Sequence, residues 1–348
     1  MKFKTILLSE PSTFRQLAEV LPLKAPFSVL IDPGNLCNFR CSFCPTGHPQ
    51  LLKKVARPNG MMDFSLFCKI IDDLRGFGRK LEKINLYKDG EPFLNRNLAR
   101  MIAYAKNKKI SKNISTTSNG LLIDESRAIE IIEAGLDSIR ISVEHVTDAG
   151  YKKITGTPTQ YESIRKNVEF LFKSKEKRKS ALKIHTKIID TGLSNLEKDK
   201  FIKDFAGISD SINIDLIDGR NNTHGYDFTL GRGIFSITDY ANNPLKKDRK
   251  VCPDPFFSMA VNFNGLVSVC CVDWSLDTIM GDANKESLVD IWRGEKLREF
   301  RIMHLNGERK KINICANCQV LQGAPMESDL DDAADSLLGA YEKSKTAH

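Results

Sequence analysis

The sequence predicts an α/β fold followed by a small α+β module, on three observations. Apolar segments of strand length alternate with amphipathic helical segments over about two hundred residues. This alternation favours a parallel sheet with right-handed crossovers and with helices packed on its outside. A shorter stretch with a hairpin pattern and one helix follows, and cysteines cluster near the start of the first part and within the second. The 348 residues suffice for one large domain and one smaller module.

Six segments have the composition of strands, and each leads into a turn or a polar loop. The predicted strands span residues 27–31, 83–87, 113–117, 138–143, 182–189 and 211–217. Helical periodicity lies between them, at residues 64–74, 96–108, 123–134, 160–175 and 195–206, the first of these capped by Asp63. Because parallel strands end at the same edge of a sheet, polar residues that follow the strands are expected to meet there.

Composition excludes several classes of function. A hydrophobic content of 41% and a charged content of 28% are ordinary for a globular protein. The net charge of +8 is scattered, and the dense basic runs at 173–179 and 246–250 contain no aromatic residues that would stack on nucleic-acid bases. No apolar run approaches the roughly 20 residues of a membrane span, and no signal peptide is evident. We therefore expect a cytoplasmic protein with nine reduced cysteines and no nucleic-acid or membrane partner.

Three cysteines lie within eight residues, shortly after the first predicted strand: Cys37, Cys41 and Cys44. A zinc ribbon would contain two separated C-x2-C knuckles, and a disulfide scaffold would be a short secreted chain. Three thiolates from one loop can hold three irons of a [4Fe–4S] cube and leave the fourth iron without a protein ligand. An open metal position of this kind is where a small molecule binds and reacts.

The C-x3-C-x2-C spacing resembles the signature of the radical SAM (radical S-adenosylmethionine) superfamily. The resemblance implies a partial (β/α)6 barrel, open where a closed eight-stranded barrel would continue. It also implies that the open iron of the cluster chelates S-adenosylmethionine, which is then reductively cleaved to a 5′-deoxyadenosyl radical. The electron would come from a donor such as flavodoxin or ferredoxin, and the substrate would be a small molecule or a peptide.

Four further cysteines are spread over the carboxy-terminal part: Cys252, Cys270, Cys315 and Cys318. A hairpin predicted over 257–261 and 266–272, a helix from Ser287 to about residue 303 and a C-x2-C knuckle would bring them together. From the residues alone, zinc is a reasonable occupant. The run from NGLVSVCCVDW to CANC resembles the SPASM/twitch domain. That resemblance implies one auxiliary [4Fe–4S] cluster held by these four thiolates.

Two cysteines stand outside both sets. Cys271 adjoins Cys270, and in a strand its side chain would point to the opposite face. It is a candidate hydrogen-atom donor of the kind that radical epimerases use, or else a buried inert thiol. Cys68 is interpreted as a helix packing residue.

Several residues resemble the S-adenosylmethionine contacts of the family. Gly90, Glu91 and Pro92 resemble its GGEP motif, whose backbone and acidic residue bind the ammonium group of the ligand. Asp89 stands where the motif has its first glycine. Phe43 holds the position of an aromatic residue that packs against adenine in the family.

Polar residues of the third and fourth strands extend this set. Ser118 and Asn119 resemble the family's polar contact at a strand end, and Ser142 holds the position of a contact to the ligand's carboxylate or ribose. Arg140, Ser142 and Glu144 share one face of the fourth strand because side chains alternate along a strand. Arg140, as a substrate contact or base, and Glu144 would then face substrate or cofactor, or would pair with each other.

On the fifth strand, His185 and Lys187 also share a face. A cation that is buried in a parallel strand needs a partner. An anionic cofactor or substrate would provide one for Lys187, whereas a side chain that reaches water would need none.

These observations divide the chain into five parts. We expect a lead-in over 1–26, the partial barrel over 27–218, a linker or substrate-facing loop over 219–251, the auxiliary domain over 252–318 and a tail over 319–348. A lead-in of this length is expected to be too short for a peptide-binding domain.

The leading hypothesis is an oxidoreductase that dehydrogenates an alcohol of a sugar or aminocyclitol, with the auxiliary cluster as electron acceptor. Removal of a hydrogen atom followed by loss of a proton and an electron amounts to dehydrogenation, and the single-auxiliary architecture resembles that of an aminocyclitol dehydrogenase. The alternatives are thioether formation, epimerisation or oxidation of a peptide, and modification of a protein as in sulfatase maturation. A scaffold that binds iron–sulfur or zinc without turnover would make no 5′-deoxyadenosine.

Overall fold

Nine strands form one continuous sheet. The computed structural model describes residues 16–217, 226–228, 230, 246, 248–318, 320–324 and 326–343. The strands are β1 Ser28–Ile31, β2 Leu81–Asn85, β3 Ser111–Ser118, β4 Ser138–Val143, β5 Lys183–Asp190, β6 Ser211–Leu216, β7 Ser258–Val261, β8 Leu266–Ser268 and β9 Ile279–Asp282. Their order in the sheet is β6-β5-β4-β3-β2-β1-β7-β8-β9.

The helices of the described part lie between and after these strands. They are α1 Leu17–Val20, α2 Pro49–Lys54, α3 Phe64–Asp73, α4 Leu98–Lys108, α5 Glu125–Glu133, α6 Asp148–Thr155, α7 Tyr161–Lys177, α8 Asn195–Phe205, α9 Asp254–Phe257, α10 Leu288–Arg293, α11 Glu295–Leu305, α12 Asn313–Ala316 and α13 Ala334–Lys343. In the described part of the chain, none of them is both long enough and apolar enough to cross a membrane.

The predicted fold class is confirmed. Strands β1 to β6 pair in parallel in the order of the sequence, and helices connect them. Each of the six strands predicted for the barrel is present, with ends displaced by at most two residues. The Asp63 cap of α3 is also present, since its carboxylate accepts a hydrogen bond from the Ser65 backbone N–H. A smaller carboxy-terminal part with antiparallel strands follows.

Strand β4 illustrates how the sequence builds the two faces of this sheet. Ile139, Ile141 and Val143 are at most 1% exposed and belong to the apolar core under the helices. The residues that alternate with them, Arg140 and Ser142 among them, are only half-buried and lie on the other face. The inner face of the barrel is therefore polar, as the alternation of this strand predicts.

The auxiliary module is joined to the barrel through the sheet itself. Strand β7 pairs in parallel with β1, with Ser28 opposite Ser258 and Ile31 opposite Val261. Strands β8 and β9 then add to it in antiparallel orientation. The sequence pattern predicted the hairpin of β7 and β8, but not its parallel pairing with the first barrel strand.

The hairpin ends earlier than predicted. Strand β8 stops at Ser268, so Cys270 and Cys271 lie in the turn that follows, and alternation along a strand does not separate their side chains. The buried carboxylate of Asp273 organises this turn by accepting hydrogen bonds from the Asp277 and Thr278 backbone N–H groups at 2.9 and 2.8 Å. These local bonds compete with continued pairing of the strand.

The helix predicted from Ser287 to about residue 303 is two helices. Ser287 caps α10 through a hydrogen bond from the Asp290 backbone N–H, but Gly294 has extended backbone angles and separates α10 from α11. Helix α6 and strand β9 were not identified from the sequence. The predicted loop over 219–251 lies largely outside the described residues, as does most of the predicted lead-in. Helix α13 packs on α11 through an apolar cluster.

We predict that Asp210→Ala lowers the free energy of unfolding of the cluster-free chain by about 3 kcal/mol. The Asp210 carboxylate accepts two hydrogen bonds from the buried Lys175 ammonium, at 2.8 and 2.9 Å, and one from the Ile184 backbone N–H at 2.7 Å. Its removal leaves a charge and a backbone donor poorly paired. Urea denaturation measures the effect. Lys173→Ala is the control, because its ion pair with Glu169 is exposed and should contribute less than about 0.5 kcal/mol. Equal losses in both variants would contradict the prediction.

Candidate functional site

The cysteine loop follows β1 at the carboxyl end of the sheet. Cys41 is buried, and Cys37 and Cys44 are half-buried. The Phe39 backbone N–H donates to the Cys37 sulfur at 3.4 Å, and the Cys44 N–H donates to the Cys41 carbonyl at 3.1 Å. These short-range bonds hold the loop in a turn that directs three thiols to one region.

The same loop is attached to the end of helix α6. The backbone N–H groups of Arg40 and Ser42 donate to the carbonyls of Thr155 and Ile154 at 2.8 and 2.9 Å. Carbonyls in the last turn of a helix have no partner within the helix, so they are free to accept these bonds. Helix α6 thereby positions the cysteines, although the sequence analysis did not identify it.

Without a bound cluster, burial disfavours the thiolate form of the three cysteines of the loop. Burial raises the pKa of Cys37 to about 12 and holds the pKa values of Cys41 and Cys44 above the ordinary thiol value. A neighbouring Cys44 thiolate adds to the increase at Cys37 and Cys41. The positive charge of bound iron favours the thiolate form over the thiol, so cluster binding is expected to release protons.

The loop around Gly90 lies directly against the cysteine loop. A Cβ atom on Gly90 would lie 2.2 Å from the Gly34 carbonyl oxygen and 2.5 Å from that of Leu36. The Glu91 backbone N–H donates to the same Leu36 carbonyl at 2.8 Å. Only glycine permits this approach of two backbones, which explains the glycine in the motif-like segment.

The Glu91 carboxylate already has three donors from the protein. It is 2% exposed and accepts hydrogen bonds from the Phe93 N–H at 3.0 Å, the Ser118 hydroxyl at 2.8 Å and the Asn119 N–H at 2.8 Å. Burial raises its pKa to about 7 despite these donors. The side chain thus connects the ends of β2 and β3, and Pro92 is buried in the short turn that follows Glu91. A ligand contact would have to share this carboxylate with its protein donors.

Asn119 continues the connection to the cysteine loop. Its side-chain amide donates to the Asn38 side-chain oxygen at 2.7 Å. Asn38 lies between the first two cysteines of the motif. Phe43 is half-buried and packs against the apolar core. The ends of β1, β2 and β3 therefore form one hydrogen-bonded unit around the predicted cluster.

Asp89 belongs to a buried ion network. Its carboxylate pairs with Lys88 and lies 3.3 Å from the Arg57 guanidinium, whose side chain is 2% exposed. The Thr46 hydroxyl donates to the Asp89 carbonyl at 2.6 Å. The Lys88 ammonium also donates to the Asp273 carbonyl at 2.9 Å, in the second cysteine module. Sequence reasoning did not find Lys88 or Arg57, and the only signal was the unusual Lys-Asp pair before the motif.

The inner face of the barrel carries charged residues with different partners. The Lys187 ammonium pairs with the Asp215 carboxylate of β6 at 2.8 Å, so its burial requires no ligand. Arg140 and Glu144 do not pair with each other. Within the residues that the structure describes, the Glu144 Oε2 atom is buried without a hydrogen-bond partner. Glu144 lies near Cys37 and Cys41, whose pKa values it helps to raise. A free carboxylate oxygen therefore faces the region of the first cluster.

Lys83 is a further inner-face cation, which sequence reasoning missed. Burial lowers its pKa, and the nearby Arg140 guanidinium lowers it further. His185 lies opposite Arg140 in the sheet register, and its Nδ1 atom is hydrogen-bonded to the Ser211 hydroxyl. Within the described part of the chain, neither Lys83 nor Arg140 has a carboxylate within ion-pair distance. The signal that would have identified Lys83 was its position next to the apolar Ile84, because adjacent side chains in a strand point to opposite faces.

A cavity in the carboxy-terminal part is lined by all four cysteines predicted to hold the auxiliary cluster: Cys252, Cys270, Cys315 and Cys318. The cavity contains about 480 Å³ of space free of protein atoms, part of it open to solvent, and Cys271 is not among its lining residues. Burial raises the pKa of Cys315 to about 12 and those of Cys252 and Cys270 well above the ordinary thiol value. Four convergent thiols around one cavity suit a fully ligated iron–sulfur cube.

Two basic residues also line this cavity, and sequence reasoning missed both. The Arg309 guanidinium donates to the backbone carbonyls of Cys315 and Cys318 and so holds the C-x2-C knuckle. His304, on α11, is fully buried. Burial and the nearby Arg309 lower its pKa to about 4 in the cluster-free protein. His304 lies just beyond the helix predicted to end near residue 303, and that prediction gave no signal that it would face the cysteines.

We predict that Gly90→Ala prevents loading of the first cluster, because its new Cβ would collide with the backbone of the cysteine loop. Iron per chain should fall to about half of the wild-type value, since the auxiliary cavity is untouched. Iron analysis and EPR after anaerobic reconstitution measure this. Gly207→Ala is the matched control, because no atom lies within 4 Å of its added Cβ. Wild-type iron content in Gly90→Ala would refute the steric argument.

Glu144 is predicted to make the stability of the cluster-free chain depend on pH. Burial raises its pKa from 4.5 to about 7 because the uncharged form is better accommodated in the interior. The stability that the protonated form contributes is therefore complete below pH 4.5 and is lost as the pH rises through 7. The free energy of unfolding should fall by up to about 3 kcal/mol over this window, and Glu144→Gln should remove that part of the slope.

The comparison must be made between variants, because Asp32 and Glu91 also have pKa values raised to about 7. Denaturation of wild type, Glu144→Gln and the exposed control Glu133→Gln across this pH range isolates the Glu144 contribution. Identical pH slopes for wild type and Glu144→Gln would contradict the prediction.

Comparison with known proteins is consistent with this arrangement. A family model for the radical SAM superfamily matches residues 31–219, more than half of the chain, and a model for the SPASM iron–sulfur cluster-binding domain matches residues 252–319. A probable GTP 3′,8-cyclase of Methanococcus maripaludis is 34% identical over 143 residues, or 41% of this chain and 44% of that protein. The chain thus spans about half, or less, of the length of the curated relatives it matches.

Solved structures share the fold at low identity. SuiB of Streptococcus suis bound to its precursor peptide SuiA superposes with a TM-score of 0.62 at 14% identity, covering 82% of this chain and 69% of that chain. BtrN in complex with AdoMet and 2-DOIA superposes with a TM-score of 0.53 at 18% identity, covering 86% of this chain and 96% of that chain. The motif, the sheet and the family match agree, and the chain therefore belongs to the radical SAM superfamily, as an enzyme that uses S-adenosylmethionine and [4Fe–4S] clusters and carries a carboxy-terminal SPASM auxiliary-cluster domain.

Proposed function

We propose that the protein oxidises an alcohol group of a small carbohydrate-like substrate that also carries an anionic group. The observation that carries this proposal is the polar inner face of the barrel. There, Arg140 and Lys83 lie close enough to influence each other electrostatically and have no carboxylate partner in the described part of the chain. Two neighbouring cations without a counter-ion favour an anionic ligand, such as a phosphate or carboxylate group.

The chemistry balances as a two-electron oxidation. The bound clusters supply reductive cleavage of S-adenosylmethionine and an acceptor for one electron. That chemistry would remove a hydrogen atom from the carbon that bears the hydroxyl group and would yield 5′-deoxyadenosine. The substrate then loses the hydroxyl proton to a base and its remaining electron to the acceptor, and a carbonyl group is left.

Residues of the inner face would perform the remaining tasks. We assign the hydroxyl proton to the Glu144 carboxylate, because its Oε2 atom is buried without a partner and lies near the first cysteines. Arg140 would position the substrate through charge-assisted hydrogen bonds. It would not act as a base, because a guanidinium keeps its proton in proteins. Ser142, on the same face, would contact S-adenosylmethionine.

The reaction requires an electron donor and a reducing compartment. We propose a flavodoxin or ferredoxin as the donor and the cytoplasm as the compartment, because both cysteine sets must remain reduced to bind iron. Cys271 does not line the auxiliary cavity, and its role as a hydrogen-atom donor stays a prediction.

Two other substrate classes have specific support. SuiB, which shares the fold, was solved with a precursor peptide, so a peptide substrate is the second candidate. The curated relatives include GTP 3′,8-cyclases, and GTP carries the anionic charge that the inner-face cations favour. The cyclases match this chain over part of their length, and SuiB shares only its fold. GTP and a peptide are therefore tested as alternative substrates in the experiment that follows.

The test is an anaerobic assay of the reconstituted chain with a reductant and S-adenosylmethionine. Sugar phosphates, aminocyclitols, nucleotide sugars, GTP and linear peptides are supplied separately, and mass spectrometry follows each compound and 5′-deoxyadenosine. The proposal expects a carbohydrate product that is lighter by two hydrogen atoms, formed with one equivalent of 5′-deoxyadenosine. A peptide or GTP product with no change in any carbohydrate would overturn it.

We predict that Arg140→Ala raises KM for the substrate so identified at least about tenfold, or ~1.4 kcal/mol of binding free energy. The loss should be larger for a substrate with a phosphate group than for its dephosphorylated analogue, because the guanidinium binds the anion. Slow formation of 5′-deoxyadenosine without substrate should be unchanged. Lys112→Ala is the control, since this lysine is 63% exposed and pairs with Glu82 on the outer surface. Unaltered KM in Arg140→Ala would remove Arg140 from the substrate site.

A further inference from the structure

His304 is a buried histidine with two unused nitrogens. Its side chain is fully buried in helix α11, and neither Nδ1 nor Nε2 has a hydrogen-bond partner within the described part of the chain. An imidazole carries at least one N–H donor in either protonation state. A buried donor without an acceptor destabilises the folded state, so a native protein normally provides an acceptor.

The imidazole of His304 borders a cavity in which an acceptor could lie. His304 lines the same cavity as the four cysteines assigned to the auxiliary cluster. The Phe300 ring stacks on the imidazole with its centroid 4.8 Å away and thereby restricts the orientation of the ring. The other basic residue of the cavity, Arg309, already donates to two backbone carbonyls of the C-x2-C knuckle. His304 is thus a hydrogen-bond donor of restricted orientation at the edge of a cavity that suits a cluster.

We propose that His304 donates an N–H hydrogen bond to a sulfur atom of the auxiliary [4Fe–4S] cluster and thereby raises the reduction potential of that cluster. Hydrogen bonds to cluster sulfurs are among the factors that set such potentials, because a donor dipole stabilises the more negative reduced form. The proposal rests on the four cysteines being the ligands of this cluster. It does not depend on which substrate the enzyme oxidises.

Direct ligation of iron by His304 is the competing arrangement. Four cysteines already provide one thiolate for each iron of a cube, so a nitrogen ligand would require one cysteine to be released. Hydrogen bonding leaves all four thiolates in place and satisfies the buried N–H. The structure favours hydrogen bonding, because all four cysteines line the cavity together with His304.

The consequence for the enzyme concerns the direction of electron flow. The auxiliary cluster can accept the last electron of the substrate only if its reduction potential is higher than that of the couple formed by the carbonyl product and the substrate radical. A hydrogen-bond donor at the cluster moves its potential in that direction. His304 would therefore be a positioning residue for electron transfer rather than a residue that touches the substrate.

The experiment compares four reconstituted full-length proteins: wild type, His304→Phe, His304→Gln and Ile314→Val. The His304→Phe variant keeps an aromatic ring against Phe300 but has no N–H, whereas His304→Gln restores a donor. Ile314 lines the same cavity and is 2% exposed, so Ile314→Val alters packing without altering hydrogen bonding. Iron content is measured first. The midpoint potential of the EPR signal that does not respond to S-adenosylmethionine is then titrated, because that signal belongs to the auxiliary cluster.

We expect a more negative midpoint in His304→Phe at wild-type iron content, partial or full recovery in His304→Gln, and no change in Ile314→Val. Weak coupling of a nitrogen nucleus to the cluster in the wild-type protein, absent from His304→Phe, would support the hydrogen bond. An unchanged midpoint in His304→Phe would overturn the proposal, and so would nitrogen coupling strong enough for direct ligation.

Three further outcomes are distinguishable. If His304→Phe fails to load iron, the nitrogen coupling of the wild type decides the question. If no carbohydrate is oxidised by any variant, the proposed function fails while the potentials remain informative. A four-iron deficit in all four proteins would instead overturn the ligand assignment on which the inference depends.

Discussion

The close approach of two backbones at the carboxyl end of the sheet is the constraint on which the rest of the site depends. Gly90 lies against the carbonyls of Gly34 and Leu36, at distances that no side chain would permit. This contact fixes the cysteine loop relative to the end of β2. The Glu91 carboxylate then connects the same loop to the end of β3 through Ser118 and Asn119. Three loops, each flexible by itself, become one rigid platform for a cluster.

Charge connects this platform to the auxiliary module. Asp89, Arg57 and Lys88 form a buried ion network beside the cysteine loop, and Lys88 continues to the Asp273 carbonyl. A buried network of this kind costs desolvation energy and specifies one arrangement of the groups it joins. Together with the parallel pairing of β1 and β7, it holds the two cysteine sets in a fixed relation. The proposed electron transfer from the substrate to the auxiliary cluster would need such a fixed relation.

Much of the fold and part of the site could be predicted because the signals are local. Period-two alternation in residues such as Ile139, Arg140 and Ile141 revealed a strand with one apolar and one polar face. The prediction was weaker where tertiary contacts override local pattern. Cys270 and Cys271 lie beyond the end of β8 because Asp273 closes a turn there, and Gly294 divides a helix whose periodicity is continuous. Neither His304 nor Lys83 belongs to a sequence motif. Their importance comes from the absence of a hydrogen-bond partner for His304 and of an ion-pair partner for Lys83 in the described residues, which only the tertiary structure reveals.

The sequence by itself determined the family, the α/β order of elements and the two cysteine sets, because thiol spacing and hydrophobic period are properties of short segments. Only the tertiary structure decided which groups are satisfied by the protein and which are left to a ligand. Glu91 and Lys187 have protein partners, whereas Arg140, Glu144 and His304 retain unused hydrogen-bonding or charge capacity in the described chain. The physical reason is that the partners come from other strands and helices, and burial makes the presence or absence of a partner energetically large.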